Sequence, residues 1–322
     1  MLLGIAVLTV CGLGYLFIHS FWGLIGLRMM NGLGQFLMGA GAMALFVAVI
    51  PQEKSGQAFA VYSVAILLPY GAVPAVMDAL TAFIPTPAHG YAGATVILLP
   101  AAWVVLQLRR RAQQCLTVEK KRLPAWTDIR VNLKQLPVAL LIILSIIYMT
   151  GWSSMFFLFK GFADQQGIAN VGIFFTVQMA LMIIIRLIAG RLFDAIAKEW
   201  LVMATFAFVA LGYLSLDHLP GAGAVPLVAL LFGVGMGMGQ PAINGLMFEV
   251  SAPRFRALNA NLMLFAVQAG YFFGPVLGGA LVARRGYHGY FRFSIGLALL
   301  ALALSALLAR QQRRGSVHVQ GA

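Results

Sequence analysis

Charged side chains are scarce in this chain, and the most informative of them lies where charge is expensive. Of 322 residues, 22 are Lys or Arg and 9 are Asp or Glu. Arg28 falls inside a long apolar run, roughly two helical turns or about 9 Å from its near end at ~1.5 Å per residue. An arginine near the centre of a membrane helix costs about 2.5–3.5 kcal/mol on insertion scales, and less near an interface. Asn31 and Gln35 follow three and seven residues later, so the three polar groups share one helical face. Such a stripe is expected to face the protein interior or a water-filled path. The chemistry open to it is recognition of charge and hydrogen bonding, not bond-breaking. The plainer account is that Arg28 snorkels to the interface or satisfies main-chain carbonyls.

Other polar groups are placed in a similar way. Gln240 and Asn244 stand i, i+4 on a second apolar run, and Ser145, Tyr148, Trp152, Phe156 and Phe159 form one face of a third. Gln178 and Gln268 lie singly in two more. For the amides the competing account is interhelical hydrogen bonding, typically under about 2 kcal/mol per pair. For the aromatic stripe it is core packing or lipid contact. Gly270, Gly274 and Gly278 recur at a spacing that lets helices approach closely. Pro275 among them removes a helix hydrogen bond and bends the run, so packing that permits rocking is expected there rather than a binding site.

Catalysis finds no support. There is no paired-carboxylate site, HExxH, nucleophile motif or phosphate loop. The glycine alternation from Gly233 to Gly239 has no strand before it, which excludes a nucleotide fingerprint. His19, His89, His218 and His288 fall in expected loops without ligand spacing, and Cys11 and Cys115 belong to an apolar run and a polar loop. Neither a metal, a disulfide nor any other cofactor is expected.

The elements that must position these groups are membrane helices. Hydrophobic residues make up 61% of the chain and charged residues 10%, against about 25% charged in a soluble domain. A hydrocarbon core needs roughly 20 apolar residues per helix. Ten runs qualify, near 2–18, 22–49, 57–76, 91–108, 137–159, 171–190, 200–217, 225–249, 258–283 and 291–309. Continuous rather than alternating apolarity excludes a β-barrel. With the first residue in the cytoplasm, sixteen Lys and Arg fall on the cytoplasmic side and four (Lys160, Arg284, Arg285 and Arg292) on the other. Both termini are therefore expected inside. The net charge of +13 is explained by this topology and by lipid contact, not by nucleic acid. No basic n-region or cleavage site follows Met1, so no signal peptide is expected.

The chain also repeats itself. Pro51-Gln52-Glu53-Lys54-Ser55-Gly56-Gln57-Ala58 matches Pro253-Arg254-Phe255-Arg256-Ala257-Leu258-Asn259-Ala260 at an offset of 202. Each follows a Gly-rich run and precedes one ending in Gly and Pro. Parallel repeats of this kind mark transporters.

Three stretches carry a family resemblance. Arg28-Met29-Met30-Asn31-Gly32-Leu33-Gly34 resembles the fourth-helix pattern of the major facilitator superfamily. Arg186-Leu187-Ile188-Ala189-Gly190-Arg191-Leu192-Phe193-Asp194, ending at Lys198, resembles its loop motif between helices eight and nine, with Ala195 where a basic residue is usual. Gly274-Pro275-Val276-Leu277-Gly278-Gly279 resembles its eleventh-helix pattern. The first-half counterpart of that pattern, Tyr70-Gly71-Ala72-Val73-Pro74, is degenerate.

The resemblance implies an all-α polytopic membrane protein of about ten transmembrane helices in two bundles, four plus six. Residues 1–108 would form the first, 109–136 a basic cytoplasmic linker and 137–322 the second. It implies a substrate cavity lined by Arg28, Asn31, Gln35, Tyr148, Trp152, Gln178, Gln240, Asn244 and Gln268, with Arg28 meeting an anionic substrate group or supporting proton coupling. It also implies a gating group of Arg186, Gly190, Asp194, Arg256, Gly274 and Pro275. There the Asp194 carboxylate would meet a helix N-terminus, worth roughly 0.3–1 kcal/mol, or pair with a base such as Arg256. The expected function is secondary active transport of a small solute by alternating access, proton-coupled and of the efflux type. The expected setting is a monomer in a bacterial-type inner membrane. A second expectation stands beside it: the family has twelve helices, so Met1 would open the third, and a chain lacking two spans would be a non-transporting fragment or sensor. The solute itself is not written in the sequence.

Overall fold

Helices are what an apolar backbone must form in lipid, where each N–H and C=O has to find its partner within the segment. The computed structural model describes residues 1–80, 84, 86–116, 126–168, 171–188, 195–219 and 221–320, and among them there is no strand. The helices are α1 (Leu2–Gly14), α2 (Phe21–Val49), α3 (Ser55–Leu80), α4 (Pro87–Leu116), α5 (Trp126–Leu133), α6 (Leu136–Gln165), α7 (Val171–Ile188), α8 (Lys198–Asp217), α9 (Val225–Val250) and α10 (Arg256–Gln320). Seven stretches among the described residues are long and apolar enough to cross a bilayer. The longest, Pro253–Gln311, has 59 residues, about 90 Å of helix at ~1.5 Å per residue, roughly twice a bilayer. It is broken at Gly286, whose φ of 67° and ψ of −177° only glycine adopts readily. We therefore treat α10 as two arms, 256–285 and 287–320. Within the described residues, each of the ten expected apolar runs overlaps a helix or an arm. The basic stretch expected as a linker is partly helical, because α4 continues to Leu116 and α5 forms before α6.

Local sequence explains where helices start and stop. Ser20 caps α2, its hydroxyl accepting from the Gly23 N–H at 3.1 Å, as N-cap serines do. Helix α2 ends at Val49, and Ile50 is extended (φ −76°, ψ 125°), the conformation required of a residue before proline. The repeat is visible in the backbone: a 3₁₀ turn, Gln52–Lys54, precedes α3, and another, Pro253–Phe255, precedes α10. The structural offset is 201 rather than the 202 of the proline match. Pro51 stands before its turn and Pro253 opens its own, which the fixed φ of proline allows at either position.

The chain divides into two compact units, Met1–Ile50 with Tyr70–Leu123 and Pro51–Pro69 with Pro124–Ala322. In the first, α1 packs against both α2 and α4. A Cβ on Gly4 would meet the Gly34 carbonyl of α2 at 2.6 Å, and one on Gly12 would run into the Thr95 side chain of α4, so small residues set both approaches. In the second, a core of Phe159, Phe162, Phe174, Phe206, Phe232 and Phe291 is fully buried, with Phe159 stacked on Phe174 at 3.9 Å between ring centroids. The first arm of α10 lies against α6. Cβ atoms on Gly270, Gly274 and Gly278 would strike Met149, Ser153 and Leu158 respectively.

Candidate functional site

In the first unit Arg28 is held by aromatic rings. Its Nη2 donates to the Tyr91 hydroxyl at 2.9 Å. Its guanidinium lies 5.2 Å from the Tyr15 ring centroid and 4.9 Å from that of Tyr91. The two rings stack on each other at 4.6 Å. Tyr15 sits just past α1 and Tyr91 one turn into α4, so three elements converge on one cation. Arg28 and Gln35 are exposed and Asn31 is half-buried. Among the described residues no carboxylate pairs with Arg28.

In the second unit Arg186 has the opposite environment. It is only 4% exposed. It lies two residues from the end of α7, yet its guanidinium reaches the middle of α9, because helical side chains tilt toward their own N-terminus. The Nε donates to the Gly237 carbonyl, Nη2 to the Met236 carbonyl and Nη1 to the Ser63 carbonyl, each at 3.2 Å. Pro241 explains the first of these bonds. Proline has no N–H to offer the carbonyl four residues back, which in α9 is that of Gly237, and the Arg186 Nε supplies the missing donor. The Tyr148 hydroxyl shares the Met236 carbonyl with Arg186, donating at 2.6 Å. On the next turn of α9 the Gln240 Nε2 donates to Asn244 Oδ1 at 3.1 Å. The Gln240 Oε1 is buried with no partner among the described residues.

A model of the Major Facilitator Superfamily matches residues 1–266 and 169–321. The chain belongs to the major facilitator superfamily. Its Bacillus subtilis (strain 168) relative, the uncharacterized protein YqgE, is 30% identical over 134 residues, 40% of this chain. That match spans 31% of YqgE, less than a third of the relative's length. Three solved transporters are similar in fold. The human organic anion transporter MFSD10 (TETRAN) superposes with a TM-score of 0.72 at 15% identity, covering 94% of this chain and 76% of its own. A bacterial homologue of the iron transporter ferroportin, in an outward-facing state, gives 0.72 at 13% identity, over 96% and 82%. The transporter FucP in the outward conformation gives 0.63 at 12%, over 95% and 80%. The fold is thus all-α and of the facilitator type, and the protein is integral to a membrane.

Within this facilitator fold the expected site residues are distributed unevenly. Tyr148 and Arg186 meet at the Met236 carbonyl in the middle of α9, and Gln240 and Asn244 bond to each other one and two turns further along it. Trp152, one turn from Tyr148, stacks on Phe156 at 5.4 Å and meets Tyr271 edge-on at 5.5 Å. Gln178 is buried on α7 at 3% exposure, whereas Gln268 is exposed on the first arm of α10. Of the expected gating residues, Gly190 and Asp194 lie outside the described residues. Arg256 donates from Nη2 to Gln52 Oε1 at 2.8 Å and covers the Phe248 ring at 4.3 Å, so the two repeated loops touch through it. Lys198 pairs with Glu249 at 2.5 Å nearby. Gly274 and Pro275 belong to the seam between α6 and α10.

Sequence reasoning missed Tyr15 and Tyr91 as partners of Arg28. Their only signal was that each is an aromatic at the same end of a neighbouring apolar run. It also missed the cluster in which Asp217 accepts from His288 Nδ1 at 2.7 Å and Arg292 Nε at 3.2 Å. These residues read as separate loop charges until α8 and the second arm of α10 are brought side by side.

Proposed function

We propose that the chain is a secondary active transporter that moves a small solute by alternating access, drives it with protons and exports it. It works as a monomer in a bacterial-type inner membrane, with four helices before a cytoplasmic linker, six after it and both termini inside. Family membership supports the transport reading, and the excess of basic residues on one side supports the orientation. The observation that carries the reading is Arg28: a cation exposed on an apolar helix, with Asn31 and Gln35 along the same face. Facing lipid, that cation would cost about 2.5–3.5 kcal/mol near the helix centre. Facing a water-filled path it keeps its hydration, and the two tyrosines fix it in place to read an anionic group.

The test is accumulation of a solute panel in cells lacking their main efflux systems. Expression of the protein is expected to lower accumulation of at least one solute. A protonophore and Arg28→Ala should each return it to the vector level at equal membrane abundance. Export that continues unchanged in Arg28→Ala would remove Arg28 from the site.

A further inference from the structure

Arg186 is a buried cation whose partners are all neutral. A guanidinium has five N–H donors, and three of them go to main-chain carbonyls of Gly237, Met236 and Ser63. Among the described residues no carboxylate pairs with it. Carbonyls satisfy its geometry but leave its charge uncompensated, and a buried ion is stable only when something offsets its lost hydration. Ionisable groups inside membrane helices pair with one another or mark a ligand's path.

One turn along the same helix from Met236, the Gln240 Oε1 is buried and has no partner among the described residues, in a residue 8% exposed. What Arg186 lacks is a negative charge, and what Gln240 lacks is a donor.

We propose that Arg186 and Gln240 form an anion site for a small organic acid that also carries a hydroxyl or amino donor. The carboxylate takes the two unused N–H groups, one on Nη1 and one on Nη2. The Nε bond to Gly237 stays, because Pro241 gives that carbonyl no other donor. The ligand's hydroxyl or amine donates to the Gln240 Oε1. The site lies in the second unit and is distinct from Arg28. The proposal rests on the transport reading, in that such an acid would be part of the cargo or a co-transported ion.

The test uses binding, with no gradient and no transport. The full chain is purified in detergent, and its thermal unfolding is followed by tryptophan fluorescence in potassium 3-hydroxybutyrate, potassium butyrate or potassium chloride at equal concentration. The two organic anions differ only by the hydroxyl. The midpoint is expected to rise most with 3-hydroxybutyrate, less with butyrate and not with chloride. Arg186→Gln should abolish both shifts. Arg186→Lys should weaken both, with about a tenfold higher half-saturating concentration, equivalent to ~1.4 kcal/mol. Gln240→Leu should keep the butyrate shift and erase the hydroxyl's advantage. If Arg186→Gln does not fold, the Arg186→Lys and Gln240→Leu arms decide. Equal shifts in wild type and the Arg186 variants overturn the proposal, and so does a wild type that responds to neither acid. A protein that binds these acids but moves nothing in cells sinks the transport reading and leaves the anion site standing.

Discussion

Arg28 and Arg186 both occupy apolar helices, and the structure treats them in opposite ways. Arg28 remains exposed and is gripped by two aromatic faces and one phenol. Arg186 is buried and is gripped by three main-chain carbonyls, one of them freed by a proline. Aromatic faces attract a cation without removing its access to water. Carbonyls replace water outright, and their geometry depends on the helix that carries them. Arg28 is therefore a group that can meet a ligand without rearrangement. Arg186 is tied to the shape of α9, so anything that changes its partners also acts on that helix.

The largest effect expected from this contrast is a coupling between positions 186 and 241. With Pro241 present, Arg186→Met leaves the Gly237 carbonyl buried without a donor, at a cost of ~1–3 kcal/mol. With Pro241→Ala, the new N–H supplies that donor, and the same arginine substitution should cost less by about that amount. The desolvation of the charge is common to both backgrounds and cancels in the double-mutant cycle. Reversible unfolding of the four proteins in detergent measures it. A coupling indistinguishable from zero would show that the Arg186 Nε does not stand in for the proline's missing donor.

Much of this contrast was legible in the sequence, and the illegible part has a clear cause. The stripe Arg28, Asn31, Gln35 follows from helical period alone, as does the seam Gly270, Gly274, Gly278. Chain breaks followed from prolines: Pro51 and Pro253 both mark them, although the backbone repeats one residue out of register with the prolines. Hydropathy located the helices but not all their ends. Helix α4 runs on through Arg109-Arg110-Arg111, which are good helix formers whatever their affinity for lipid. The partners of each arginine were hidden because they are tertiary. Tyr91 is 63 residues from Arg28, and Ser63 is 123 from Arg186. Arg186 was expected among the gating residues at the end of its apolar run, and only the direction of its side chain carries it to the middle of α9. Pro241 stood in plain view, but nothing in the sequence says which side chain answers the carbonyl it frees.

A smaller effect is expected at Arg28. Arg28→Leu removes two exposed cation–π contacts, each worth ~0.5–1 kcal/mol, and one hydrogen bond to Tyr91. It also replaces a charge with a group that lipid and protein both accept, which offsets part of the loss. Stability should fall by about 1 kcal/mol or less, at or below the low end of the 186–241 coupling, while the proposed export should be lost. A stability loss of several kcal/mol would make Arg28 a structural cation like Arg186, and the comparison between them would collapse.

The smallest effect separates the two tyrosines. Both rings flank Arg28, but their hydroxyls differ. That of Tyr91 accepts from Nη2 at 2.9 Å, whereas that of Tyr15 is buried without a partner among the described residues. Tyr91→Phe keeps the ring and loses the bond, a cost of about 0.5–1.5 kcal/mol for a typical hydrogen bond and toward the lower end at an exposed site. Tyr15→Phe keeps the ring and removes a polar atom that burial already penalises, so it should be neutral or slightly stabilising. Comparing the two melting midpoints in one detergent reads the difference directly. If Tyr15→Phe is the more damaging of the two, Arg28 is held from the side of α1 rather than α4.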